Sequence, residues 1–161
     1  MNEHVVDVSR STELVEEEPD DRQIIDWLID TLLRLNCAKS EVSVRIVCER
    51  EMKSLNKLYR KKDRPTNVLS FPSGIAADDC LFLGDIVICD MVLRKEALDF
   101  GKPLKDHYAH IIIHGLLHLL GNDHTELADQ QNMEALEKSL LESLDIPDPY
   151  ELPTRFAEEL R

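Results

Sequence analysis

The chain lacks any apolar run long enough to cross a bilayer, which takes about 18 or more uncharged apolar residues. Its longest apolar stretch, 109–121, is interrupted by three histidines, so no membrane association is expected. The opening MNEHVVDVSRSTELVEEEPDD has neither the basic nor the apolar region of a secretory signal. No CxxC pair occurs among the four cysteines, at 37, 48, 80 and 89. Free thiols in a reducing compartment are therefore expected, rather than a disulfide framework or a cysteine-based zinc cluster, and the cytoplasm is the expected location. Internal repeats and low-complexity segments are also missing. Basic charge is scarce: 19 Lys+Arg stand against 32 Asp+Glu, for a net charge of −13. Taken over the whole chain, that balance speaks against nucleic acid as a partner, because phosphate binding needs a basic surface. What is present is a hydrophobic fraction of 43% in 161 residues, enough to bury the core of one domain and too much for a disordered acidic chain.

The charge is unevenly spread. Residues 1–30 hold ten acids and two bases, and residues 125–161 hold ten acids and three bases. The middle, 31–124, holds twelve acids and fourteen bases, a net of +2. Within it, residues 50–64 carry seven bases (Arg50, Lys53, Lys57, Arg60, Lys61, Lys62 and Arg64) against Glu51 and Asp63. Taken alone, such a run reads as a solvated helix face and loop. Its meaning depends on what shares its neighbourhood.

Hydrophobic periodicity outlines the elements. Val5, Val6 and Val8 suit a short first strand, and Pro19-Asp20-Asp21 starts a helix carrying Ile24, Ile25, Leu28, Leu32 and Leu35. Residues 41–49 alternate as a strand, and 50–59 place Met52, Leu55 and Tyr59 on a helical stripe. KKDRPTN is a loop, 68–71 a strand, and SGIAADD a linker before the nearly continuous apolar strand 81–89. Asp90 is placed to cap a helix ending at Gly101; Pro103 opens the next helix, closed by Gly121; Thr125 begins a last helix to about 144. The expected architecture is a single α/β domain over 1–161 (α+β being the near alternative), with about four mostly parallel strands and about five helices. The helix near 104–120 is apolar on nearly every side and should be central, and 151–161 should be a loosely held tail.

That central helix also holds the chemistry. His114 and His118, four apart, project from one helix face one turn from each other. Gly121 permits a sharp turn, and His124 can return over the same face. The pattern H-x-x-x-H-x-x-G-x-x-H supplies three ligands and an open position for water, the usual composition of a catalytic zinc site. Imidazoles also suit iron, nickel and copper. Metzincin proteases share the spacing but carry Glu beside the first histidine as general base, where this chain has Gly115. The Arg60-Lys61-Lys62-Asp63-Arg64 loop offers positive charge for a phosphate, with arginine suited to a two-pronged grip. Asp85 and Asp123 are candidates to orient the ligand imidazoles, although either also fits a cap or turn. His110, one turn up the ligand face, reads as pocket wall or substrate contact.

The segments LNKLYRKKDRPTNVLSFP, LGDIVIC and GKPLKDHYAHIIIHGLLHLLGNDH, with a later DPY, resemble the bacterial YbeY family over about 5–150. The resemblance implies a zinc-dependent, single-strand-specific endoribonuclease of ribosomal RNA maturation, including 3′-end processing of the small-subunit RNA, and of ribosome quality control. It implies one zinc ion on His114, His118 and His124, and activity depending on Arg60 and His114. Lys61, Lys62 and Arg64 would bind RNA, and the partners would be single-stranded ribosomal RNA and the ribosome or small-subunit assembly factors. Where many relatives carry Tyr, this chain has Asn122. A metalloprotease-like hydrolase and a non-catalytic assembly factor with structural zinc are the rival readings. The acidic ends would then keep the protein soluble and limit indiscriminate RNA binding.

Overall fold

A computed structural model describes residues 3–13, 17–77, 80–121 and 127–150. Four strands form one sheet in the order β1 (Val5–Arg10), β2 (Ser40–Val47), β4 (Cys80–Cys89), β3 (Val68–Ala77). The pairs β1–β2 and β2–β4 are parallel, and β3 runs antiparallel to β4 at the edge. Five helices are described: α1 (Asp21–Arg34), α2 (Glu49–Arg60), α3 (Asp90–Phe100), α4 (Leu104–Leu119) and α5 (Leu127–Ser143). This is the α/β arrangement the periodicity predicts.

β4 explains the two-sided covering. Ile86 and Ile88 join the main core with α1 and α4, while Val87 and Cys89 join a smaller cluster with Met52 of α2 and Leu69. Alternate residues of a strand point to opposite faces, so the near-continuous apolar run is what two covered faces require. Against one of those faces lies α4. Eleven of its sixteen residues are buried and its N-cap, Pro103, makes no side-chain cap bond, so packing rather than capping holds it.

The approach of α4 to the sheet is set by Gly115. A Cβ there would lie 2.9 Å from Ile86 Cγ2 and 3.3 Å from Ser70 Oγ. Ser70 Oγ in turn donates to the Gly115 carbonyl at 3.0 Å, pinning the helix to β3 one residue beyond His114.

Two local expectations change. The SGIAADD segment is not a free linker through 77, because β3 continues to Ala77 and pairs with β4 after an irregularity between Pro72 and Ile75. Its partner there is Gly84, at φ 136°, where a Cβ would meet the Phe71 carbonyl oxygen at 2.1 Å. Only glycine permits that crossing. Asp90 does not cap α3; Cys89 holds the N-cap position and Asp90 is the first helical residue. Its carboxylate turns inward, accepting from Arg94 Nε at 2.7 Å and from the Tyr108 hydroxyl.

The same hydroxyl lies 3.2 Å from Glu18 Oε1, and Arg10 and Arg94 stand 3.7 and 3.8 Å from that carboxylate. Glu18 is buried, so part of the acidic N-terminal charge joins β1, α3 and α4 instead of facing solvent. Burial pushes the Asp90 carboxyl up, but hydrogen bonds from Glu18, Tyr108 and Arg94 outweigh it and hold it below its ordinary value.

Tyr108→Phe leaves buried Asp90 short of a donor and is expected to lower stability by about 1–3 kcal/mol in urea denaturation at pH 7. With Asp90 depressed in the folded state, that contribution is full above its ordinary pKa and lost as pH falls through the folded value. The gap between variant and wild type should therefore narrow in acid; a gap that widens would refute the arrangement. Gly115→Ala should cost about 1–3 kcal/mol by pushing α4 off Ile86, a branched core side chain that cannot swing aside. An unchanged thermal midpoint would show that the helix has slack there.

Candidate active site

The site is built on the face of α4 that looks toward the end of α2 and the start of β3. His114 and His118, one turn apart, bring their Nε2 atoms to 3.0 Å. Both rings line a cavity of about 300 Å³ together with Arg60, Thr66, Asn67, Val68, Ser70 and Pro72. Two sequence-predicted groups far apart in the chain, the helix histidines and Arg60, thus line one cavity.

Arg60 is delivered by the end of α2. Lys61 takes the left-handed conformation (φ 58°) and stops the helix, its N–H bonded to Lys57 O at 3.1 Å. Buried Asn56 folds the following loop back, its Nδ2 donating to Arg64 O at 2.8 Å. Among the described residues Arg60 has no ion-pair partner, and it lines the cavity without an internal carboxylate to neutralise it. Lys61, Lys62 and Arg64 are exposed beyond it and do not line the cavity. Across from Arg60, Asn67 Nδ2 reaches Glu96 at 3.4 Å, and Glu96 Oε1 lies 3.0 Å from His107 Nε2.

Behind His114 stands Glu137 of α5, which the sequence reading missed. Its Oε1 contacts His114 Nδ1, and its Oε2 contacts the Tyr150 hydroxyl and, at 3.1 Å, His110 Nε2. Burial pushes this carboxyl up, but hydrogen bonds from His110 and His114, the nearby His114 ring and the Tyr150 hydroxyl prevail and hold it at about 2. An ionised carboxylate only accepts. His114 therefore donates from Nδ1, and its other ring nitrogen, Nε2, is the one that meets His118 Nε2 beside the cavity. Burial holds His110 below its ordinary value despite the carboxylate, so at neutral pH it is uncharged and donates from Nε2. Tyr150 is pushed up by burial and by the same carboxylate, which keeps its hydroxyl a donor.

A signal for Glu137 was present. Met133, Leu140 and Leu141 are the buried stripe of α5, and Glu137 occupies a position on that stripe. A carboxylate on an apolar stripe calls for buried donors. His110, read as a pocket wall, instead braces Glu137 and lines neither the Arg60 cavity nor a second cavity, also about 300 Å³, walled by His114, Gln130, Met133, Glu134, Glu137 and Tyr150. Asp85 is exposed and lines a separate groove with Glu41 and Ser43, so it does not orient the imidazoles. His124, Asp123 and Asn122 lie outside the described residues. Position 115, which carries the general base in metzincins, is buried against Ile86 and cannot present a side chain to the cavity. A larger cleft of about 720 Å³ between α3 and the start of α4 has Arg94, Lys102, Lys105 and Asp106 on its walls but no histidine.

Among the described residues His114 and His118 are two donors that a divalent ion would use, and no group of three metal-ligating side chains is formed. Two nitrogens on one tetrahedral zinc lie about 3.3 Å apart at ordinary bond lengths, close to the observed separation. With Nδ1 turned to Glu137, Nε2 is the His114 atom that would serve such an ion.

The chain is similar to known proteins. The "Endoribonuclease YbeY" of Pseudomonas entomophila strain L48 is 47% identical over 147 residues, covering 90% of this chain and 92% of that protein. The protein of the same name from Halorhodospira halophila strain SL1 is 44% identical over 137 residues, covering 83% and 88%. The solution structure of a Thermotoga maritima protein superposes with a TM-score of 0.58 at 22% identity, covering 91% of this chain and 99% of that one, a likeness of fold. The family description "Endoribonuclease YbeY" matches residues 6–145, so the chain belongs to the YbeY family.

Proposed function

We propose that the protein is a metal-dependent endoribonuclease that cuts single-stranded RNA, with precursors of ribosomal RNA as its substrates. The observation that carries this reading is the shared cavity, which Arg60, with no ion-pair partner among the described residues, lines together with two convergent imidazoles. The family's name supports the reaction class. The carboxylate at position 115 on which a metzincin-type protease depends is absent, and the backbone there is packed against the sheet.

His114 and His118 would hold the ion, zinc being the first choice for an imidazole set, and His124 is proposed as the third ligand on its spacing alone. When bound, the ion supplies Lewis-acid charge and favours an oxygen nucleophile at neutral pH. The remaining work belongs to side chains. Arg60 grips a non-bridging phosphate oxygen and stabilises the charge that grows there as the bond to the leaving oxygen breaks. Glu137 fixes the His114 tautomer, and His110 and Tyr150 hold Glu137 in place. Lys61, Lys62 and Arg64 attract the RNA backbone from the rim, a term that weakens with salt.

On single-stranded ribosomal RNA, Arg60→Glu and His114→Ala should each lower cleavage by about 10²–10³-fold or more, the usual loss when one charge-stabilising donor is removed. Equal cutting by wild type and both variants would mean that a contaminating nuclease acts. If Arg60→Glu instead weakens ribosome association and no purified preparation cuts, the chain is a non-catalytic assembly factor. The cleavage ends identify the nucleophile: a 2′,3′-cyclic phosphate marks attack by the ribose 2′-hydroxyl, and its absence throughout the time course marks attack by water.

A further inference from the structure

The aromatic pair Tyr59–Phe71 has no part in the fold's main core or in the chemistry described above. Periodicity places Tyr59 on one helical stripe of α2 with Met52 and Leu55. In the structure it is 60% exposed. It is nonetheless held: its ring meets that of Phe71 edge to face, with centroids 4.9 Å apart and planes at 64°. Phe71 is anchored in turn against the cluster of Val47, Met52, Leu69, Val87 and Cys89. Tyr59 immediately precedes Arg60, and Phe71 lies between Ser70 and Pro72; Arg60, Ser70 and Pro72 all line the cavity. A braced, solvent-facing aromatic ring thus flanks the phosphate-gripping arginine, with the cationic Lys61, Lys62 and Arg64 following it.

We infer that Tyr59 is the stacking platform for one unpaired nucleobase of the RNA strand, the base adjoining the phosphate that Arg60 holds. This rests on the endoribonuclease reading and deepens it. Arg60 reads only the backbone and cannot distinguish a single strand from a duplex. A stacking ring can, because it needs a base free of its helix, and it tolerates sequence because every base has a π-face. Phe71 keeps Tyr59 from collapsing onto the sheet, so little ordering entropy is lost when a base arrives. The device gives strand-state selectivity without base-edge readout.

The test compares wild type with Tyr59→Phe, Tyr59→Trp and Tyr59→Leu on a single-stranded oligoribonucleotide. Leucine retains apolar packing on Phe71 but has no π-face, and its thermal unfolding should match wild type. Stacking is worth about 1–3 kcal/mol per base, so Tyr59→Leu should raise KM on the order of 5- to 100-fold with kcat largely kept. Phe and Trp should retain wild-type KM. Fluorescence of Tyr59→Trp should be quenched by RNA, whereas buried Trp27 should not respond in wild type. Substrates made abasic at successive positions should show one position at which wild type loses the same factor and Tyr59→Leu loses nothing further, as expected for a coupled pair. If wild type cuts the oligonucleotide and Tyr59→Leu keeps its KM, the stacking role is overturned while the nuclease reading stands. If wild type does not cut it, the nuclease reading falls and the inference with it.

Discussion

One buried carboxylate organises the site. Glu137 has no solvent-accessible surface, and both of its oxygens are occupied, one by His114 and the other by His110 and Tyr150. Removing a carboxylate from water is expensive, and an unpaired one would take up a proton. Three donors from two other parts of the chain offset that cost and keep the group ionised. The same bonds settle which nitrogen of His114 carries its proton, and therefore which atom faces the cavity. The cavity chemistry depends on a residue that never reaches the cavity shared with Arg60.

The precision of that arrangement comes from the helix beneath it. α4 is buried along most of its length, so it cannot rotate without exposing Leu116, Leu117 or Ile112 to water, at roughly 1.5–3 kcal/mol for each large side chain. Gly115 lets the helix settle on Ile86, and Ser70 locks the carbonyl beside His114. Packing also gives the protease comparison a physical footing. The residue after the first histidine is the one that touches the sheet, so the surface that makes α4 central leaves no room for a base there. On the opposite end of the same helix, Tyr108 ties in Glu18 and Asp90, so the acidic N-terminal region contributes to the fold as well as to net charge.

Much of this was legible in the sequence because it rests on local spacing. Alternation marked the strands, the i,i+4 histidines marked a shared face, and the all-round apolarity of 104–120 marked a central helix. The basic loop was legible as charge, and its partnership with the histidines followed from chemistry before topology joined them. The remainder was hidden for identifiable reasons. The second half of β3 has no clear alternation, and only pairing across Gly84 makes it a strand. Glu137 reads as an ordinary helix carboxylate until α5 is seen to bury the face that holds it. Tyr59 shares a helical stripe with buried Met52 and is nonetheless exposed, because periodicity shows which side of a helix a residue occupies, not whether anything covers that side. A net charge of −13 described the chain and misdescribed its site, where Arg60, among the described residues, has no acid paired with it.

The role given to Glu137 has a direct measure in zinc affinity, by competition with a chromophoric chelator, for protein purified without a nickel column. Glu137→Gln keeps the size of the side chain and removes its charge. It should bind zinc about 10- to 100-fold more weakly than wild type, the usual effect of losing a carboxylate behind a ligating histidine. Its far-UV spectrum should be unchanged. A folded Glu137→Gln protein that binds zinc as tightly as wild type would contradict the claim that this carboxylate sets the donor atom of His114.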